Sequence, residues 1–213
     1  IRNLLVTTNP AQPLRGAIAR APVEHHRHLS EKELGAFWRK LDEQGAHTTT
    51  IAATKLLLLT MTRKSELLRS KWPEFDLDAA QWDIPAERMK MKTPHIVPLS
   101  TQAVSLLKTL HLITGHSVML FPGERDHDKS MSNNTILKAL ERMGFKGRMT
   151  GHGFRGVAST LLHEMGFDHA HIELQLAHQE RNEVSAAYNH ATYLKQRSQS
   201  RLSLSNLGCS QSG

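Results

Sequence analysis

Trp72-Pro73-Glu74-Phe75-Asp76-Leu77, Gln81-Trp82-Asp83-Ile84-Pro85 and Pro94-His95-Ile96-Val97-Pro98 all fall within residues 72–98, and this stretch decides the fold class. Pro73, Pro85, Pro94 and Pro98 exclude a long helix, since proline lacks an amide hydrogen and disfavours helix in the residue before it. Short alternating pieces at about 75–77, 82–84, 88–91 and 95–97 predict a small antiparallel sheet. On either side the apolar spacing is helical. Ser30-Glu31-Lys32-Glu33 forms a capping box ahead of Leu34, Phe37, Trp38 and Leu41. A largely apolar helix is expected at about 49–61 and a shorter one at 64–70. Ser100 opens a helix through Val104, Leu107, Leu110 and Ile113 that Gly115 closes. Further helices are expected from Ser132 to near Gly144, from His152 to Met165, after Asp168, and over 183–197. The expected fold is mainly α with a small antiparallel β-sheet inserted early.

Residues 1–28 read as a basic linker, broken by Pro10, Pro13 and Pro22 and carrying Arg2, Arg15, Arg20 and Arg27. The Ser-rich tail, 198–213, reads as disordered. The chain begins at Ile1 rather than Met, which suggests a piece of something longer. Its 27 Lys and Arg outnumber 20 Asp and Glu, a balance of +7 that favours a polyanionic partner. The one cysteine, Cys209, excludes an internal disulfide and any cysteine-based zinc cluster, as fits a reducing cytoplasm. The longest apolar run, about 51–61, is too short to span a bilayer. No signal peptide is visible, so no membrane association is expected.

The residues able to carry chemistry are weak signals one at a time. Arg63 can be a cation favoured near a helix end, and Glu66 can simply pair with it across one turn. Lys90 and Lys92 can solvate a strand edge. His152 and Arg155 share a helical face in Gly151-His152-Gly153-Phe154-Arg155, and His178 closes Leu176-Ala177-His178, yet lone histidines are more often structural.

Their order changes that weighting. Arg63 with Glu66, Lys90, His152-x-x-Arg155, His178 and Tyr188 resemble the tyrosine recombinase family, in its phage-type integrase branch. The resemblance covers roughly 23–197. It extends to Trp82 through Lys90, Pro94 through Ser100, Ser159-Thr160-Leu161-Leu162-His163-Glu164, and Ala187-Tyr188-Asn189. It implies a catalytic domain over 23–197, with 1–22 linking it to a missing DNA-binding region.

The activity so implied is site-specific recombination that integrates a mobile element, by cleavage and rejoining of DNA through a 3′-phosphotyrosine. Phosphoryl transfer builds charge on non-bridging oxygens, which planar guanidiniums at Arg63 and Arg155 are suited to hold. By resemblance Tyr188 attacks, His152 takes the phenolic proton, and Lys90 protonates the leaving 5′-oxygen, with Lys92 the alternative. His178 then hydrogen-bonds the phosphate and Glu66 holds Arg63. One phosphodiester is exchanged for another, so neither ATP nor a metal is required. Tyr188 stands ten positions after His178. Tyr193, about 140° round a helix from it, reads as packing. Lys64, Arg88, Lys92 and Arg148 are expected to contact DNA. The expected partners are double-stranded attachment sites and three further copies in a tetramer, with no small-molecule substrate.

Two departures stand out: the tail lacks the Met- and Trp-rich ending expected of this branch, and the resemblance leads one to expect a DNA-clamping amino-terminal region that this stretch does not include. Competing readings are a non-catalytic recombination-control protein on the same fold, a type IB topoisomerase, and a metal-dependent hydrolase. The last is suggested by His25-His26-Arg27-His28 and His169-Ala170-His171, but neither cluster has the i, i+4 spacing that puts two imidazoles on one helical face.

Overall fold

The computed structural model describes residues 10, 12, 29–43, 45–90, 92–150, 153–178 and 193–209. Helix α1, Glu31–Glu43, starts as its capping box predicts: the Ser30 amide donates to Glu33 Oε2 at 2.9 Å. Its apolar stripe of Leu34, Phe37 and Leu41 is buried, and the Phe37 ring meets Phe145 edge-on at 5.0 Å. Helix α2, Thr48–Thr60, is buried on nearly every face, as an all-apolar helix must be. It is the axle of the fold, in contact with α1 and with helices that follow it on several sides. Met61 ends it in the left-handed conformation, φ 54°, and α3, Lys64–Leu68, begins just beyond.

The sheet has three antiparallel strands in sequence order: β1 Phe75–Asp76, β2 Gln81–Ile84 and β3 His95–Pro98. Trp82 pairs with Phe75 and Val97, stacks on the Phe75 ring at 4.9 Å, and is fully buried. The strand expected at 88–91 is not among them. After Pro85, residues Ala86–Arg88 form a 3₁₀ turn whose i→i+3 bonds, Arg88 N to Pro85 O and Met89 N to Ala86 O, replace a ladder.

Helix α4, Thr101–Thr114, is capped by Ser100, whose Oγ accepts the Ala103 amide at 3.2 Å. Helix α5, Asn133–Arg142, is capped by Ser132, α6 is Gly153–Glu164, and α7, His169–Gln175, is capped by Asp168. Gly166, φ 79°, supplies the left-handed turn between α6 and α7.

The last helix overturns one expectation. Helix α8 is Leu194–Cys209, so 198–209 is helical rather than a disordered tail. The expected helix at 183–197 lies largely outside the described residues. A Ser-rich composition reads as solvated, yet Arg197, Ser200 and Arg201 are buried, and α8 packs on α1, α2, α6, α7 and β3. Among the described residues no helix is long and apolar enough to cross a membrane.

Candidate active site

The site forms where α2 ends, α3 begins and the turn after α7 comes back to them. Arg63 stands at the head of α3, and Glu66 brackets it. One carboxylate oxygen accepts the Arg63 backbone amide at 2.9 Å and the other accepts its guanidinium at 2.7 Å. Glu66 is buried while the Arg63 side chain stays a quarter exposed, so the anchor is inside and the charge looks out. The second guanidinium nitrogen of Arg63 donates to the Ala177 carbonyl at 3.3 Å.

Arg155, on the first turns of α6, comes in from the opposite side. It donates to the Met61 carbonyl at 2.7 Å and the Leu176 carbonyl at 2.5 Å, and lies 3.0 Å from His178 Nε2. Among the described residues its buried Nε–H has no partner. Burial, and then the charge of Arg63, lower its pKa to about 10, which still leaves it a cation at neutral pH. The Nδ1 of His178 is 2.9 Å from Glu173 Oε2, a carboxylate that orients the ring and leaves Nε2 to face Arg155. Two guanidiniums and an imidazole from three separate stretches of chain thus meet on the turn 176–178. Such a group can hold the oxygens of one phosphate from several sides.

Lys90 is exposed just past the 3₁₀ turn, and Lys92, at φ 55°, reaches the Glu87 carbonyl at 3.4 Å. His152 and Tyr188 lie outside the described residues. Tyr193 packs its ring on His171, 4.5 Å between centroids, in line with the packing expected of it.

The residues expected to contact DNA divide. Arg88 turns inward, with a 3.0 Å ion pair to Glu74 and bonds to the carbonyls of Glu66, at 2.8 Å, and Arg69. Its pKa is lowered, first by burial. It is a brace between the hairpin and α3 rather than a surface cation, because the 3₁₀ turn aims it at those acceptors. Lys64 donates to the Asn133 carbonyl at 3.0 Å, and Arg148 pairs with Glu33. Lys92 remains exposed.

Sequence reasoning missed Glu173 and three buried polar residues behind the site, Gln175, Arg197 and Arg201. A hydrophobicity pattern has no signal for a buried arginine. Among the described residues no group of three or more His, Cys, Asp or Glu converges as metal ligands would.

Residues 27–195 match the model of the phage integrase family. The integrase of Enterobacteria phage P4 is 42% identical over 208 residues, covering 90% of this chain and 47% of that protein. Prophage integrase IntZ of Escherichia coli (strain K12) is 42% identical over 194 residues, 91% of this chain and 48% of its own length. The chain therefore spans about half the length of the curated relatives it matches. Among solved structures, the Tn1549 transposon integrase in complex with transposon right end DNA matches with a TM-score of 0.68 at 14% identity, over 93% of this chain and 73% of that one. The integrase from mycobacterium phage Brujita matches at 0.65 and 18%, over 87% and 60%. At these identities the structural likeness speaks for the fold.

Proposed function

This chain belongs to the phage integrase family, and from that premise we propose that it cuts and rejoins double-stranded DNA at specific attachment sites, with Tyr188 as nucleophile. The observation that carries the reading is the meeting of Arg63, Arg155 and His178 on the turn 176–178. An anion-holding group of this kind fits the charge that a transferring phosphoryl develops on its non-bridging oxygens.

In the proposed step the Tyr188 oxygen forms a bond to phosphorus as the bond to the 5′-oxygen breaks. The phenolic proton passes to His152, and the departing oxygen takes a proton from Lys90. The product is a 3′-phosphotyrosine and a free 5′-hydroxyl, and reversal with another strand's hydroxyl restores a phosphodiester. Arg63, fixed by Glu66, and Arg155, fixed by two backbone carbonyls, bind the oxygens throughout. The energy of the phosphodiester is retained in the tyrosine link, so the exchange needs no ATP. Residues 23–197 are the proposed catalytic domain and 1–22 a linker. The proposed setting is cytoplasmic, with four copies acting together on two DNA sites.

Tyr188→Phe tests the nucleophile, on a nicked duplex whose sequence the protein has itself selected from random DNA. The nick lets the cut end diffuse away, so a covalent adduct accumulates on a denaturing gel. The Phe variant should give no adduct at nearly unchanged DNA affinity, because Lys and Arg contacts to phosphates dominate binding. Tyr193→Phe should still form it. The opposite pattern moves the nucleophile to Tyr193.

A further inference from the structure

Several buried polar groups that take no part in the steps above gather at the carboxyl end of α2. The last carbonyls of a helix lack partners within it and carry the negative end of its dipole. Here side chains from three elements meet them. The Thr60 carbonyl accepts from Arg201 of α8 at 2.8 Å and from Gln175 Nε2 of α7 at 3.1 Å. The next carbonyl, of Met61, accepts from Arg155 at 2.7 Å. Arg197 Nε donates to Gln175 Oε1 at 3.0 Å, which turns the amide so that its NH₂ faces Thr60. The same two arginines reach β3: Arg201 bonds the Pro98 carbonyl, and Arg197 the Ile96 carbonyl at 2.5 Å.

Arg201 is 0% exposed, and among the described residues no carboxylate pairs with it. A guanidinium buried against neutral carbonyls is an expensive way to fill space, and an apolar side chain would fill it at lower cost. What the arginine adds is direction. Its planar fork ties the end of α2 to β3 at a set angle. Arg63 lies three residues past Thr60, across a left-handed Met61 and a buried Thr62, whose hydroxyl is 2.9 Å from that of Thr60. The carbonyl that seats Arg155 belongs to the middle of that same short segment.

We infer that Arg201 and Gln175 are positioning residues for the phosphate-binding arginines: they hold the Thr60–Met61 turn, and through it set where Arg63 and Arg155 present their guanidiniums. The inference rests on the reading of Arg63 and Arg155 as phosphate ligands. Arg201, fully enclosed, acts without touching DNA. Removing it leaves Thr60 with one donor of two and lets the turn relax, and a misplacement of about 1 Å at a reacting centre costs on the order of 100-fold in rate.

The test uses the protein with the selected nicked duplex in two forms, one with an ordinary scissile phosphate and one with a methylphosphonate there. In the second, a methyl group replaces a non-bridging oxygen, so the reacting centre carries one negative charge fewer and depends less on a guanidinium. Arg201→Met removes the fork. Gln175→Glu keeps the acceptor for Arg197 but withdraws the donor from Thr60, and serves if Arg201→Met does not fold. Each variant should cleave the ordinary phosphate roughly 10- to 100-fold more slowly, the loss of about one charge-assisted hydrogen bond. Affinity for the duplex should stay within about two-fold, since phosphate contacts elsewhere dominate it. On the methylphosphonate both should come within about three-fold of the parent, as should Arg63→Ala run beside them, and Arg201→Lys should be intermediate on the ordinary phosphate. Equal slowing on both substrates, or no slowing in Gln175→Glu, overturns the inference while Arg63→Ala still discriminates between them. If Arg63→Ala itself fails to discriminate, its role as a phosphate ligand falls, and this inference with it.

Discussion

Glu66→Gln isolates the bracket around Arg63 with the smallest change of shape. The carboxylate accepts two bonds from Arg63, from the backbone amide at 2.9 Å and from the guanidinium at 2.7 Å. Glutamine keeps the volume but turns one oxygen into an NH₂ group. Whichever way the amide is oriented, a donor then faces a donor, at a residue only 4% exposed. A hydrogen bond to a charged group contributes about 1.5–3 kcal/mol, and the Arg63 side chain, at 25% exposure, recovers part of this from water. The expected destabilisation is therefore about 2 kcal/mol, which in a chain of this length lowers Tm by about 4–8 °C. Without its bracket the guanidinium keeps the 3.3 Å bond to Ala177 and loses its fixed direction. Single-turnover adduct formation should slow by about 10- to 100-fold. DNA affinity should hold or rise slightly, since a negative charge has been removed. Thermal unfolding by circular dichroism and adduct formation on the nicked duplex measure the two effects separately. A Tm within 1 °C of the parent refutes the bracket. A lowered Tm with an unchanged cleavage rate refutes the claim that Glu66 acts through Arg63.

Lys90→Ala should be slow on ordinary DNA and largely rescued by a 5′-bridging phosphorothiolate, whose thiolate leaves without a proton, whereas Arg155→Ala should stay slow on both. Rescue of Lys92→Ala instead would assign the proton donor to Lys92. Acid stability should depend on His95. Burial first, and then the charges of Arg197 and Arg201, lower its pKa to about 3 in the folded chain, against about 6.5 when unfolded. Between those values the unfolded chain binds the extra proton, so stability is complete above about pH 6.5 and falls as the pH drops towards 3, by about 3 kcal/mol at pH 4. His95→Leu should flatten this acid limb in a series of thermal melts. An unchanged slope between pH 6.5 and 4 would show that other groups set it.

What was legible in the sequence is what local rules govern. The helices follow their apolar spacing and the caps Ser30, Ser100, Ser132 and Asp168, and the sheet lies where four prolines break the helical pattern. Arg63, Glu66, Arg155 and His178 could be named as a set from their order along the chain, and the fold brings them together. The misses around the site concern long side chains with two possible destinations. Arg88 looks identical in sequence whether it faces solvent or Glu74, and the choice is made by a 3₁₀ turn that a strand-like pattern concealed. Arg197 and Arg201 made the same ambiguity larger, because a helix rich in Ser, Gln and Arg has a solvated composition whichever face it buries. Their positions, four apart on one helical face, would have revealed a stripe only to a reader who already knew that carbonyls stood opposite. The acceptors that make burial tolerable are the backbone ends of α2 and β3, more than 90 residues away and invisible to any side-chain pattern. A buried cation satisfied by backbone carbonyls is therefore written in the tertiary structure rather than in the local sequence. In this chain its acceptor, the Thr60 carbonyl, sits three residues before Arg63, the arginine on which the proposed chemistry depends.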